Sequence, residues 1–220
     1  GAEKHWVMDD NIADFYRWHK NKRIRVGSGA IFKATEDFIN RFENVPISGF
    51  QYRFFISPND YKKPAFLANT RVYSCLLIDN KCKHRWRGRY NEDTDLSLRV
   101  LKDGDCTIQF NSFLQGKTAT QKVKGGNTEE FYHKEVGTEI LDKAKDMKDI
   151  GYNAVGTVNK SEMLVKMHPD VARISWKYGR WHHYVDYSPF KNNELRYKPG
   201  VKISSEMNNY GMKLIENYGE

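Results

Sequence analysis

Residues 91–111 have the sequence Asn-Glu-Asp-Thr-Asp-Leu-Ser-Leu-Arg-Val-Leu-Lys-Asp-Gly-Asp-Cys-Thr-Ile-Gln-Phe-Asn and join a helical pattern to a strand pattern. After Asn91, which can cap a helix, apolar residues recur at helical spacing until Gly104 supplies a stop. From residue 106 to residue 111, apolar and polar residues alternate, which is the two-residue period of a β-strand. The stretch therefore predicts a helix that leads directly into a strand.

Segments on both sides continue this alternation of helix and strand. Upstream, the apolar residues of 34–45 recur at helical spacing, whereas residues 72–78 and His5–Met8 are short apolar runs typical of buried strands. Downstream, a long helical pattern ends near Ile150. The sequence therefore predicts an α/β fold in which a mixed sheet is flanked by helices.

Length and composition predict a globular protein. The 220 residues fit one domain, which we place at residues 1–200, followed by a polar tail at 201–220. The aromatic share of 14% can bury enough area to exclude a disordered chain. The three cysteines lack the spacing of a disulfide framework or a zinc ribbon, which favours a reducing cytoplasm. Because no run of about 18 apolar residues occurs, no membrane span is predicted.

The charge balance favours a polyanionic partner. Thirty-six basic and 28 acidic residues give a net charge of +8 and a pI near 9.2. Such a surface attracts nucleic acid or the phosphates of a nucleotide. A basic soluble protein that has no such partner is the alternative.

Asp9 and Asp10 form the first candidate site, because they follow the apolar run His5–Met8 directly. Polar residues at the end of a strand lie beside the crevice in which α/β sheets bind ligands. Carboxylate oxygens suit Mg²⁺ or Mn²⁺, and such an ion can bridge a diphosphate. A surface turn is the alternative, since Asp and Asn are common turn residues.

The acidic start of the predicted helix forms the second candidate site. Glu92, Asp93 and Asp95 all lie in its first turn. A carboxylate at a helix start in a cleft can act as a general base, and Asp93 is the residue to which we assign that role. Acids in a first helical turn also stabilise the helix dipole, so a purely structural role is the alternative.

The block 179–187, Gly-Arg-Trp-His-His-Tyr-Val-Asp-Tyr, forms the third candidate site. In a strand, neighbouring side chains point to opposite faces, so one of His182 and His183 can lie in the core while the other faces a site. A histidine facing a site can bind a metal or transfer protons.

A loop with paired glycines and lysines precedes the long helical pattern and is suited to approach a phosphate. A solvated surface loop is the alternative. We assign contact with the acceptor or with phosphate to this loop and to two arginines beside the other motifs: Lys122, Lys124, Gly125, Gly126, Arg89 and Arg180.

The order of these motifs over about residues 5–190 resembles that in GT-A glycosyltransferases. The residues within the motifs are most similar to those of the phage TET-associated glycosyltransferases. The resemblance implies that Asp9 and Asp10, with His182 or His183, hold the divalent metal and the diphosphate of the donor. It also implies that Asp93 is the base of an inverting transfer.

The resemblance further implies a substrate and a setting. The expected donor is a nucleotide-sugar such as a UDP-sugar, and the expected acceptor is a hydroxymethylated pyrimidine in DNA. The cytoplasm of a phage-infected bacterium is the expected location. The pattern departs from the superfamily in two respects: Asp-Asp-Asn replaces a strict Asp-x-Asp, and only eight residues precede Asp9. We therefore expect most of the N-terminal nucleotide-binding half of a GT-A fold to be lacking, either because the chain is a fragment or because it is a reduced relative.

Two other functions use the same residues. A metal-dependent nuclease would use the acids Asp9, Glu92, Asp93 and Asp95 with a lysine. A non-catalytic module that binds DNA through its basic surface would use the acids only for structure.

Overall fold

The computed structural model describes residues 2–57, 63–88, 90–117, 155–177 and 180–202. Its strands are β1 (Lys4–Met8), β2 (Ile12–His19), β3 (Lys22–Arg25), β4 (Ile47–Tyr52), β5 (Phe66–Ala68), β6 (Cys75–Asp79), β7 (Thr107–Lys117), β8 (Ala172–Lys177) and β9 (Arg180–Val185). Its α-helices are α1 (Ala30–Ile39), α2 (Glu92–Lys102) and α3 (Val155–Met167). Single 3-10 turns follow at Arg53–Phe55 and Ser188–Phe190.

Seven of these strands form one mixed sheet in the order β1-β6-β4-β7-β2-β3, with β5 paired to β7. Strands β4 and β7 run parallel, and the other pairs of this sheet are antiparallel. Strands β8 and β9 form a separate antiparallel pair. The predicted α/β fold, a mixed sheet flanked by helices, is confirmed.

The core lies on both sides of this sheet. On one side, α1 buries Ile31 and Ile39 against a cluster of aromatic rings that includes Phe50. On the other side, α2 places Leu96 and Val100 over the sheet. Strand β7 lies inside the sheet, since it pairs with β4 along one edge and with β2 and β5 along the other, and it is buried almost throughout.

The start of α2 is fixed by contacts with the rest of the chain. The predicted helix and its stop are confirmed, since α2 ends at Lys102 and Gly104 has a φ of +84°. Asn91 precedes the helix with a φ of +52°, but its side chain makes no capping bond. Instead, its amide donates a 2.7 Å hydrogen bond to the carbonyl oxygen of Lys160 in α3. The first turn of α2 is thereby held next to α3.

Two predicted elements differ from the structure. The helix expected over 34–45 spans Ala30–Ile39, because Phe42 and Val45 are buried in the loop that follows and so continue the apolar spacing. Strand β1 is an edge strand rather than a buried one, since among the described strands it pairs only with β6, and it leaves Met8 exposed. The helix expected to end near Ile150 lies outside the described residues, as does nearly all of the expected tail. None of the described helices has the length and apolar character that a membrane crossing requires.

Candidate functional site

Ser74 connects the first two candidate motifs. It lies just before β6 with a φ of +65°, a left-handed conformation that is uncommon outside glycine. Its carbonyl oxygen accepts a 2.8 Å bond from the backbone N–H of Asp9. Its own backbone N–H donates a 3.0 Å bond to Oδ2 of Asp93. One strained residue therefore holds the Asp9 turn and the start of α2 side by side, as strained residues at functional sites commonly do.

Asp93 is largely enclosed and bonded at both of its oxygens. The indole N–H of Trp86 donates a 2.8 Å bond to Oδ1, and the N–H of Ser74 binds Oδ2. Burial raises the pKa of Asp93 above its usual 3.8, although the bonds from Trp86 and Ser74 and the charge of Lys117 oppose the rise. A carboxylate with a raised pKa is a stronger base, so the environment suits proton abstraction.

Asp9 is paired with the lysine that ends β7. Its Oδ2 accepts a hydrogen bond from Nζ of Lys117, which lies 108 residues away, and its Oδ1 accepts a 2.9 Å bond from the N–H of Asn11. Partial burial would raise the pKa of Asp9, but the bonds to Lys117 and Asn11 outweigh burial and lower it. Nζ of Lys117 also lies 3.3 Å from Oγ of Ser74. A cation therefore lies between the two acidic motifs.

Two further basic residues act on the same region, and we call Arg71, Lys117 and Lys160 the cation group. Burial lowers the pKa of Lys160, and the charges of Arg71 and Lys117 lower it further. Burial also lowers the pKa of His183 to about 4, helped by the charges of Arg71 and Lys160. His183 is therefore neutral at pH 7. Positive groups that repel one another in a partly enclosed place favour the binding of an anion.

Asp95 has surroundings unlike those of Asp93. Its side chain is 0% exposed, forms ion pairs of 3.0 Å with both Arg87 and Arg99, and lies 2.8 Å from Nε2 of His168. Burial alone would raise the pKa of Asp95, but these partners lower it to about 2. Residues two apart on a helix point to different sides, which separates Asp95 from Asp93. The arrangement gives Asp95 a structural role, whereas Glu92 is exposed at the helix start.

The four residues predicted to bind metal do not form a cluster. Asp9 is already paired with Lys117, Asp10 is exposed, and His182 and His183 lie on β9. Within the described ranges, no three His, Cys, Asp or Glu side chains lie close enough to hold one ion. The described residues therefore do not fit a metal site built by the protein alone, and the metal stays a prediction.

Most of the predicted acceptor contacts cannot be placed. Arg89, Lys122, Lys124, Gly125 and Gly126 lie outside the described residues, and only the backbone of Arg180, in β9, is described.

The structure adds residues that the motifs did not indicate. Ser74, Trp86 and Lys117 contact the candidate acids directly, and Arg71 and Lys160 act on the site through their charges. Lys117 ends a buried strand. Trp86 follows the run Lys83-His84-Arg85, and that run indicates positive charge but no contact with Asp93. A lysine at the end of a long strand was the one local indication available.

Comparison with known proteins gives one family. A family model described as TET-Associated Glycosyltransferase matches residues 1–126, which is more than half of the chain. The match contains β1 to β7 and α2, and with them Asp9, Ser74, Asp93 and Lys117. Lys160 and His183 lie beyond it. Neither the curated proteins nor the solved structures contain a match to this chain.

Proposed function

Because the chain belongs to the TET-associated glycosyltransferase family, we propose that it transfers a sugar from a nucleotide-sugar to the hydroxyl group of a hydroxymethylated pyrimidine in DNA. One observation carries the proposal beyond the family: Asp93, whose pKa is raised, lies across Ser74 from Lys117 of the cation group. The transfer needs a base that accepts the proton of the acceptor and, close to it, a positive charge that binds the diphosphate of the donor.

Asp93 acts as the general base. It takes the proton of the acceptor hydroxyl while the acceptor oxygen forms a bond to the anomeric carbon of the sugar. The bond from that carbon to the diphosphate breaks, and its electron pair leaves with the diphosphate. Attack from the side opposite the leaving group inverts the configuration at the anomeric carbon. The two hydrogen bonds from Trp86 and Ser74 hold the carboxylate of Asp93 in place for this step.

The cation group binds the negatively charged diphosphate of the donor. Lys117, Arg71 and Lys160 attract the diphosphate and stabilise the negative charge that grows on it as the bond breaks. Such charges are effective because they are fixed before the reaction begins, and Lys117 is fixed by Asp9 and Ser74. His183 is neutral at pH 7, so the positive charge at this place comes from these three residues.

Divalent metal stays a separate prediction, derived from the resemblance. Mg²⁺ or Mn²⁺ supplies positive charge to a leaving diphosphate when it is bound. The described residues offer Asp9 and Asp10 as carboxylates, but Lys117 already occupies one oxygen of Asp9. No step of the transfer proposed above depends on the ion.

The nuclease alternative requires four acids to act together. Asp95 is enclosed by Arg87, Arg99 and His168, so it is not available to a metal shared with Asp9 and Asp93. This enclosure favours sugar transfer over strand cleavage.

One incubation separates the candidate functions. The protein is mixed with hydroxymethylated DNA and a panel of labelled nucleotide-sugars that includes UDP-glucose, with Mn²⁺ in one series and EDTA in the other. Label on the DNA supports the transferase, shortened strands support the nuclease, and binding alone supports the non-catalytic module. Unmodified DNA of the same sequence is the matched control, because it lacks the acceptor hydroxyl. Equal labelling of both DNAs would refute the proposed acceptor.

A further inference from the structure

Two phenylalanines at the end of β4 are unusually exposed. Phe54 is 60% exposed and Phe55 is 45% exposed, and Phe54 has the largest exposed fraction of any large hydrophobic residue described. They form the 3-10 turn that follows Tyr52 and contribute nothing to the three buried clusters of the core. Adjacent exposed aromatic rings commonly mark a binding surface.

These rings belong to a continuous series that reaches the candidate site, and we call Tyr52, Phe54, Phe55 and Tyr73 the aromatic series. The ring centroids of Phe54 and Phe55 lie 4.3 Å apart. The ring of Tyr52 lies 5.1 Å from that of Phe54 at an interplanar angle of 16°, and 4.5 Å from that of Tyr73. The hydroxyl of Tyr52 lies 2.6 Å from Oγ of Ser74. The series therefore extends from solvent to the residue that binds Asp93.

Basic side chains border the aromatic series. The guanidinium of Arg71 lies 4.5 Å from the ring centroid of Tyr73. The guanidinium of Arg53 lies over Tyr16, and Arg23 donates a 3.3 Å bond to the carbonyl oxygen of Arg53. Lys63 donates a 2.8 Å bond to the carbonyl oxygen of Phe55. Basic side chains thus lie along one border of the rings, and the chain as a whole carries +8.

From this arrangement we propose that the aromatic series is the binding site for unpaired bases of single-stranded or locally opened DNA. Bases stack on Phe54 and Phe55, while the bordering cations contact the phosphates. The base faces of an intact duplex are covered by neighbouring pairs, so the exposed rings fit an unpaired strand. The placement beside Asp93 rests on the proposed function, whereas the binding itself does not.

The test measures DNA binding apart from sugar transfer. The probe is a labelled single strand of about 12 nucleotides, which falls within the site sizes of aromatic single-strand binders, and affinity is read by fluorescence anisotropy. The variant Phe54→Ala/Phe55→Ala is compared with Tyr197→Ala. Tyr197 is the control because it is an exposed aromatic residue outside the aromatic series. It is 41% exposed, close to the 45% of Phe55, and its ring packs on Phe42, which precedes β4, whereas Phe54 and Phe55 follow β4.

We expect the double variant to bind the single strand about 10-fold or more weakly, since each stacked base contributes substantially to affinity. Tyr197→Ala should bind as the parent does. The slope of affinity against salt should stay unchanged in the double variant, because stacking releases no counterions. Replacing both phenylalanines by tyrosine should restore binding. Circular dichroism confirms that each variant is folded.

Three results would overturn the proposal: equal single-strand affinity of the double variant and the parent, an equal loss in Tyr197→Ala, or no single-strand binding by the parent. A change in oligomeric state without a change in affinity would assign the rings to self-association instead. Asp93→Asn separates this proposal from the proposed function, because it should lose transfer and keep the single strand. Ring-dependent binding without any transfer would leave the aromatic site standing and refute the transferase.

Discussion

Replacing Asp93 by asparagine tests the assignment of the base, and the structure fixes what the change does to the fold. Both oxygens of Asp93 accept a hydrogen bond, one from Trp86 and one from the N–H of Ser74. An asparagine side chain has one accepting oxygen, so its NH₂ group must face one of these two donors. The loss of that bond costs about 1–3 kcal/mol.

Part of this cost is offset. Because burial raises the pKa of Asp93, the folded protein disfavours its charge, and the neutral amide removes that penalty. We therefore expect the free energy of unfolding to fall by about 1–2 kcal/mol near neutral pH. For a chain of this size, that corresponds to a drop in Tm of about 2–8 °C. The variant should remain folded at 25 °C.

Sugar transfer should fall much further than stability. An amide cannot accept the proton of the acceptor hydroxyl, so the rate should drop about 100-fold or more. The assay follows labelled sugar from the nucleotide-sugar onto hydroxymethylated DNA at 25 °C, where both proteins are folded. Single-strand affinity is measured beside it and should be unchanged.

Asp95→Asn is the matched control, because it makes the same chemical change two residues along α2. It leaves Arg87, Arg99 and His168 without their shared carboxylate. The cost should be about 3 kcal/mol, at the lower end for a broken buried ion pair because Arg87 is half exposed. A transfer rate for Asp93→Asn within about threefold of the parent would refute the base assignment. A larger rate loss in folded Asp95→Asn than in Asp93→Asn would do so as well.

Three further predictions follow from the charges of the site. The lowered pKa of Asp95, about 2, stabilises the fold above the unfolded value of 3.8, and this stabilisation of roughly 2–3 kcal/mol is lost as the pH falls toward 2. The stability gap between parent and Asp95→Asn in urea unfolding should therefore narrow from pH 5 to pH 2, and a constant gap would contradict the ion cluster. If the Asp9 turn binds Mn²⁺, Asp10→Asn should weaken binding in calorimetry without a change in Tm, whereas equal affinity would remove the metal assignment. DNA affinity should fall steeply between about 50 and 200 mM salt, because lysines and arginines that contact phosphate release counterions, and a flat dependence would contradict phosphate contact.

The sequence predicted those parts of the fold whose signals are local. Helix α2 and the first part of strand β7 follow from the spacing of apolar residues within each segment, and both were predicted, although β7 continues to Lys117, six residues beyond the predicted alternation. The exposure of β1 depends on how many strands pair with it, and the sequence of β1 alone does not indicate that number. Residues 72–78 were expected to form a strand throughout, but β6 begins only at Cys75, because Ser74 adopts its left-handed conformation to meet Asp9 and Asp93.

The candidate site was predictable only in part for the same reason. Asp93 and Asp95 both fit an acidic helix start, and their difference arises from partners elsewhere in the chain. Of the partners of Asp95, only Arg99 lies four residues away on the same helix, a spacing that the sequence shows directly. The pairing of Asp9 with Lys117 spans 108 residues and has no counterpart in the local pattern.

The cation group is divided between two parts of the chain. Arg71 and Lys117 lie within the region shared with the family, whereas Lys160 lies downstream of it, next to Asn91. The proposed base, Asp93, and the two residues that donate hydrogen bonds to it, Trp86 and Ser74, lie wholly within the shared region. Substitutions in the downstream part can therefore alter how strongly the site attracts a phosphate without moving the group that accepts the proton. Under the proposed mechanism, the affinity for the donor and the chemistry at the acceptor can therefore change independently, by evolution or by engineering.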